Sequence, residues 1–255
     1  MRLRFLAVTA ALLVSGISLL AQGQQPKPKS QKEVEALQKV QAAAQAGNWD
    51  GEIQAINYVL ENFADTEYKQ MLLDMAVDAA QRKGDYAQTV AFGEQALKAD
   101  PNNIPSRVTL AETIAAHTRE NDLDKDQSLK KAEDYANQAL ELLKNASTPP
   151  PGMPAAQWPE TKKLLTSQAY DALGQAAELR KKFPDAIQNF KTASDTDASN
   201  PVPMARLSKA YVDNKQYDDA ISTADKVLAM NDAPPAVKQF AQQQKDAATK
   251  MKGAK

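Results

Sequence analysis

The C-terminal part of the sequence repeats itself, and this repeat limits the possible folds more than any other feature. Residues 170–200 align with residues 204–234 at a constant offset of 34 residues, without a gap. The aligned pairs keep their character: Leu173 with Leu207, Phe183 with Tyr217, Ala186 with Ala220, and Ile187 with Ile221. Each copy has apolar residues at helical spacing, a polar break and a second helical stretch, which predicts a helical hairpin. One hairpin cannot bury its apolar face alone, so stacked copies are expected.

The composition favours helices over sheets. Only 6% of the residues are aromatic, and alanine recurs three or four positions apart along most of the chain. Alanine is the strongest helix former, whereas aromatic and β-branched residues favour strands. A content of 43% hydrophobic and 25% charged residues is typical of a folded globular chain. We therefore expect an all-α protein.

The best-preserved copy resembles the tetratricopeptide repeat (TPR). That family has a large residue, then Leu-Gly, then alanine, phenylalanine and a second alanine at fixed spacings. These positions are matched here by Tyr170, Leu173, Gly174, Ala186, Phe190 and Ala193. The resemblance implies an all-α, right-handed TPR-like α-solenoid of about five helical hairpins, closed by a C-terminal capping helix.

Earlier parts of the chain carry further copies. One of them has Gly84 and Tyr86 at its inter-helix turn, but Thr89 and Gly93 stand where the family prefers alanine and an aromatic residue. Looser packing is expected there. The predicted array spans residues 33–235, with units 33–69, 70–103, 104–148, 155–200 and 201–234, and a capping helix and tail at 235–255. Consecutive prolines interrupt the array before residue 155, because proline cannot continue a helix.

The first 23 residues have the pattern of a secretory signal peptide. Two arginines precede an apolar run from Phe5 to Leu20, and small residues follow the run. A bilayer span needs roughly 20 apolar residues, so an uncleaved membrane anchor is the less favoured alternative. We expect cleavage near Gln24, a flexible linker over 24–32, and export to the periplasm or the cell exterior.

The residue content excludes several kinds of chemistry. The chain has no cysteine, so it has no disulfide, thiolate nucleophile or thiolate metal ligand. Its single histidine, His117, follows Ala115 and Ala116 on a predicted helix, without the nucleophile and orienting group that a general base requires. A net charge of −1 offers no basic excess to attract nucleic acid or an anionic membrane. We therefore predict a non-catalytic protein without a cofactor.

One acidic stretch has the spacing of a calcium loop. Its oxygen-bearing residues, with a glutamate at the twelfth place, are Asp122, Asp124, Asp126, Ser128 and Glu133. Gln127 stands where such a loop needs glycine for its sharp turn. A lengthened inter-helix turn would contain similar residues, with Asp126 or Ser128 capping the next helix. A polar turn is therefore favoured over a metal site.

The TPR resemblance implies a concave groove, lined by the first helix of each hairpin, that receives an extended peptide or a helix. In the register of the repeats, the predicted lining residues are Gln38, Gln41, Asp74, Asp78, Gln81, Glu112, Asp171, Gln175, Glu178, Arg206 and Lys209. The middle of this set is acidic and the last repeat is basic. The set lacks the lysine and asparagine clamp that holds a C-terminal carboxylate in the family's best-known peptide complexes. We therefore expect a protein or peptide partner with a basic or amide-rich segment.

Three functions agree with these features. The first is an exported scaffold that binds a protein or peptide, and the second is a structural or self-associating array. The third is an enzyme whose site the sequence does not reveal. Capture of a partner from envelope extract would separate the first from the second. The third would require His117 or the stretch 122–133 to matter for turnover.

Overall fold

The computed structural model describes residues 26–150 and 153–254, so the predicted signal peptide and its cleavage site lie outside the described residues. Within these ranges the regular secondary structure is helical, without a strand. The helices are α1 Gln31–Gln45, α2 Trp49–Asn62, α3 Lys69–Lys83, α4 Tyr86–Ala99, α5 Ile104–His117, α6 Lys125–Asn145, α7 Trp158–Leu179, α8 Phe183–Thr196, α9 Pro201–Asp213, α10 Tyr217–Ala229 and α11 Pro235–Gly253. A short 3-10 turn, Ala155–Gln157, precedes α7.

The chain divides into two compact units, and in both of them helices pack in chain order. Of the described residues, the first unit contains 26–106, 148–150 and 153–155, and the second contains 107–147 and 156–254. In the first unit α1 packs on α2, α2 on α3 and α3 on α4. In the second unit each helix from α6 to α11 packs on the next. Packing in chain order is the arrangement of an α-solenoid, so the predicted all-α, TPR-like fold class is confirmed.

The turns within the α1–α2, α3–α4, α7–α8 and α9–α10 hairpins each contain one left-handed residue. Gly47 and Gly84 take this conformation in the first unit, with φ of 64° and 70°. Lys181 and Lys215 take it in the second unit, with φ of 59° and 62°. The left-handed conformation costs a non-glycine residue about 1–2 kcal/mol. Packing of the flanking helices must therefore hold both lysines in place, 34 residues apart as the repeat requires.

Close packing of α7 on α8 explains the glycine of the Leu-Gly pair. Gly174 is buried on α7, and Phe190 on α8 is fully buried. A Cβ added at Gly174 would lie 2.5 Å from both Cδ1 and Cε1 of Phe190, closer than side chains normally approach. Phe190 also belongs to a core cluster with Ala186 and Leu207. Because Gly174 has no side chain, the Phe190 ring can pack directly against the backbone of α7 at this position.

The residues just before α1 contact the α2–α3 loop, and they belong to the segment 24–32 that was predicted to be a linker. The Tyr68 hydroxyl donates a hydrogen bond to the Pro26 carbonyl at 2.7 Å. The backbone N–H of Lys29 donates to Glu33 Oε2 at 2.6 Å, and Glu33 is only 1% exposed. The polar composition of this segment indicated solvation. The hydroxyl of Tyr68 and the carboxylate of Glu33 bind this segment in the folded chain, and composition alone does not reveal such contacts.

The C-terminal helix α11 packs on both α9 and α10. Its buried residues are Ala241 and Ala248, while Lys245 and Lys252 form ion pairs with acidic residues of α10. Small apolar residues let α11 lie close to the last hairpin and cover apolar surface that a further repeat would otherwise bury. In the part of the chain that the structure describes, every helix is too short or too polar to cross a membrane.

Candidate partner-binding surface

In the first unit, Asp74 on α3 holds neighbouring segments together. Its Oδ1 accepts hydrogen bonds from Gln70 Nε2 at 3.0 Å, Asn103 Nδ2 at 2.6 Å and Ser106 Oγ at 3.3 Å. Asn103 and Ser106 are buried, and Asp74 is half-buried. Burial raises the pKa of Asp74, although its three hydrogen bonds oppose the rise. The carboxylate of Asp74 therefore ties the start of α5 to α3.

Asp78 and Gln81 follow Asp74 along α3, and both are exposed. Asp78 pairs with Arg82 at 2.6 Å, and the Arg82 guanidinium carbon lies 5.1 Å from the Trp49 ring centroid. A solvent-exposed ion pair contributes only about 0–1 kcal/mol, so Asp78 can exchange Arg82 for another cation at small cost. On α3, Asp78 and Gln81 are therefore the predicted groove residues that a partner can reach.

A buried glutamate that the sequence analysis did not single out belongs to the same region. Glu52 on α2 is 4% exposed, and its Oε2 has no hydrogen-bond partner among the described residues. Burial raises the pKa of Glu52 to about 7; the Asp78 charge adds to the rise and Arg82 opposes it. The burial of Glu52 could have been predicted from its spacing, because it lies four and seven residues before Ile56 and Val59 and so falls on the apolar stripe of α2.

In the second unit, α7 carries a polar stripe along the side that meets α9. Gln168, Asp171, Gln175 and Glu178 recur along it at spacings of three and four residues, which places them on one helix face. Asp171 is 3% exposed, and its Oδ2 accepts a hydrogen bond from Gln175 Nε2 at 3.0 Å and pairs with Arg206. Its Oδ1 is buried without a hydrogen-bond partner in the described structure. Burial raises the pKa of Asp171 to about 6, against the opposing charge of Arg206.

A second ion-pair cluster lies near the end of α7. Lys209 on α9 pairs with Glu178, and its Nζ also lies 2.7 Å from Asp213 Oδ2. Burial alone would lower the pKa of Lys209, but the hydrogen bonds to Asp213 and Glu178 outweigh burial and raise it. The lysine is therefore held in its charged form between two carboxylates.

Glu112 on α5 joins the Asp171 end of the stripe. Gln168 Nε2 donates a hydrogen bond to Glu112 Oε2 at 3.2 Å, and Gln168 lies one turn before Asp171 on α7. Glu112 is half-buried. Burial raises its pKa to about 8, the Asp171 charge adds to the rise, and Arg206 opposes it. Arg206, the single arginine of α9, therefore pairs with Asp171 on α7 and also influences the ionisation of Glu112 on α5.

The structure places six of the eleven predicted groove residues on α5, α7 and α9 of the second unit, where they form one hydrogen-bonded pair with Gln168 and two ion-pair clusters. These residues are Glu112, Asp171, Gln175, Glu178, Arg206 and Lys209. The other five lie in the first unit, Asp74, Asp78 and Gln81 on α3 and Gln38 and Gln41 on α1. The predicted acidic middle and basic last repeat are not separate charged surfaces, because Arg206 and Lys209 of α9 form ion pairs with Asp171 and Glu178 of α7. Gln168 and Asp213 were not predicted, although each stands one turn from a predicted residue.

The acidic stretch considered as a calcium loop has a different geometry. Helix α6 begins at Lys125, so the last three candidate ligands lie within a helix rather than a loop. Glu133 pairs with Arg180, and Asp122 Oδ2 accepts a hydrogen bond from a backbone N–H of its own turn at 2.7 Å. Burial of Leu129 favours the early helix start. Across the described ranges, no three His, Cys, Asp or Glu side chains are grouped so that they could hold a metal ion.

No curated protein matches the sequence. A family model described as "Tetratricopeptide repeat" matches residues 177–243, from the end of α7 into α11. A thermophilic TPR protein from Thermus thermophilus has 14% identity and a TM-score of 0.57, covering 83% of this chain and 98% of its own. The MamA RS-1 ArsTM double mutant has 17% identity and a TM-score of 0.52, covering 80% of this chain and 96% of its own.

At identities of 14% and 17%, the two solved structures show a shared fold. The family model adds a match in sequence over residues 177–243, which contain the two helices of the last hairpin. The chain-order packing of helices α8 to α11 is the structural counterpart of that match. Together these findings show that the chain has the fold of tetratricopeptide-repeat proteins and matches the sequence model of that repeat over residues 177–243.

Proposed function

We propose that this protein is an exported, non-catalytic scaffold that holds a protein or peptide against the first helices of its hairpins. The observation that carries the proposal is the set of polar contacts on the first helices of the second unit, in which a hydrogen bond joins α5 to α7 and two ion pairs join α7 to α9. TPR folds provide extended surfaces for protein recognition. Half-buried charged groups on such a surface can be desolvated by a partner, which gives them weight in recognition.

The charges of this network favour a basic or amide-rich segment. Four acidic residues, Glu112, Asp171, Glu178 and Asp213, stand against two cations, Arg206 and Lys209, and three carboxylates remain ionised when Glu112 is protonated. The excess of acceptors attracts cations and amide N–H donors. Gln168 and Gln175 already donate to this network and show that amides fit it.

The same contacts support recognition rather than bond cleavage. Shifted pKa values often mark functional sites, and those of Glu112 and Asp171 are raised to about 8 and about 6. The groups that contact them are Gln168, Gln175 and Arg206. Amides and a guanidinium bind and orient charged groups, whereas a general base must act on a nucleophile within hydrogen-bond reach.

Site-specific photo-crosslinking tests the binding role and captures the partner in the same experiment. A photoreactive phenylalanine analogue replaces Gln175, which is half-buried on the polar stripe of α7, or Gln188, which is exposed on the second helix α8. We expect a discrete crosslinked product with another protein from Gln175 and none from Gln188. Crosslinks from Gln188 alone would place the binding surface on the second helices. Crosslinks only to copies of this chain would support a self-associating array instead.

Export is tested by N-terminal sequencing of the protein recovered from cell fractions. We expect a mature N-terminus near Gln24 in the fraction outside the cytoplasm, because the apolar run of the leader is too short to span a bilayer. A lysine-rich replacement of the apolar run serves as the control and should retain the protein in the cytoplasm. Recovery of the intact leader in a membrane fraction would contradict cleavage.

A further inference from the structure

Resting on the proposed function, we infer that Glu112 and Asp171 form a recognition point for one cationic side chain, lysine or arginine, of the bound segment, and that this cation displaces a proton from the pair. The inference adds a defined anchor and a pH dependence to the proposed binding surface. It concerns only residues of the second unit.

The geometry places both carboxylates at one polar junction of three helices. Gln168 Nε2 donates to Glu112 Oε2 at 3.2 Å, and Arg206 pairs with Asp171 Oδ2. Asp171 Oδ1 is buried and has no hydrogen-bond partner among the described residues. A buried acceptor without a donor destabilises the folded state. The junction can therefore accept a further hydrogen bond.

The charge balance at this junction is negative when both acids are ionised. The titratable and charged groups that face it are Glu112 from α5, Asp171 and Glu178 from α7, and Arg206 and Lys209 from α9. Lys209 is engaged by Glu178 and Asp213, so Arg206 is the cation that serves the two carboxylates. One guanidinium cannot neutralise two carboxylates. A second cation supplied by a partner would complete the balance.

Glu112 is the group that the partner's cation meets, since it is half-buried while Asp171 is 3% exposed. Burial and the Asp171 charge raise the pKa of Glu112 to about 8. At neutral pH the free protein therefore keeps Glu112 largely protonated. A bound cation favours the carboxylate, lowers its pKa, and releases the proton to solvent. Binding should thus weaken as pH falls below 8, by up to about tenfold per pH unit.

The probe is a pair of blocked peptides built from Ser, Gln and Ala, one with a central arginine and the other with citrulline, its neutral isostere. Binding to the mature chain is measured by NMR titration of backbone and side-chain amides at several values between pH 6.5 and 8.5. The variant Glu112→Gln removes the titrating group while keeping its size and its ability to accept from Gln168. Glu141→Gln, an exposed position on the second helix α6, is the matched control.

We expect the arginine peptide to shift the Gln168 side-chain amide, with an affinity that rises towards pH 8 and exceeds that of the citrulline peptide. Glu112→Gln should remove the pH dependence, and Glu141→Gln should retain it. Equal affinity of the two peptides, no binding at millimolar concentration, or a pH dependence that survives in Glu112→Gln would overturn the inference. If Gln175 still crosslinks to a partner in any of these cases, the proposed scaffold function stands and only the cationic anchor fails.

Discussion

The contact between α7 and α8 makes a quantitative prediction for Gly174→Ala. A Cβ at this position lies 2.5 Å from Cδ1 and Cε1 and 2.9 Å from Cγ of Phe190, whose side chain is fully buried. Forcing an additional methyl group into a packed core costs about 1–3 kcal/mol. Replacing glycine by alanine inside a helix recovers about 0.5–1 kcal/mol. We therefore expect a net loss of about 1 kcal/mol in the free energy of unfolding of the second unit.

Urea unfolding followed by fluorescence measures this loss. Trp158 is buried in the second unit, so a Trp49→Phe background leaves a single reporter there. Phe190→Leu replaces the ring that the added methyl group would meet by a smaller side chain. The double variant Gly174→Ala/Phe190→Leu should therefore show a favourable coupling of about 1 kcal/mol between the two sites. Gly253→Ala, with no atom near the added Cβ, is the control for helix propensity. A stabilised Gly174→Ala protein with no coupling to position 190 would refute the close approach of the two helices.

Three further predictions concern buried and acidic residues. Burial raises the folded-state pKa of Glu52 to about 7, so the free energy of unfolding of the first unit should fall as pH rises from about 5 to 7. Glu52→Gln should abolish this fall and stabilise the unit by about 1–2 kcal/mol at pH 8, as measured by urea unfolding at pH 5 and pH 8. Asp74→Ala should cost about 1–3 kcal/mol because it leaves buried donors unsatisfied, whereas Asp78→Ala should cost at most about 0.5 kcal/mol; equal losses would contradict the assigned contacts. Calcium titrated calorimetrically should show no binding tighter than millimolar, and micromolar affinity that is lost in Asp124→Ala would show that α6 unwinds to form a loop.

The helical hairpins could be predicted because their evidence is local and repeated. Gly47 and Gly84 stand at left-handed turn positions that favour glycine, so the residue type signals the turn. Lys181 and Lys215 take the same conformation without that signal. Their conformation follows from helices packed on both sides, and only the 34-residue repeat connects the two positions in the sequence. A turn imposed by packing cannot be inferred from the residue that occupies it.

The candidate surface could be predicted only in outline. Spacing placed Asp171, Gln175 and Glu178 on one helix face, and the structure shows them there. Asp74 and Asp78 have the same residue type and lie one turn apart, yet one is held by three hydrogen bonds and the other is exposed. Two of the three groups that hold Asp74 follow it by 29 and 32 residues. Their proximity depends on how α3 meets the start of α5.

The sequence by itself determined that this chain is a helical repeat protein, with no thiol chemistry and with acidic and basic residues on the first helices of its hairpins. These properties depend on residue type and on spacing along one helix. The tertiary structure alone decided that Arg206 pairs with Asp171 and that burial raises the pKa of Glu112 to about 8. Ionisation depends on the water that packing removes and on charges brought close by the fold. Residues 112, 171 and 206 affect one another's ionisation only because the fold brings three separate helices together.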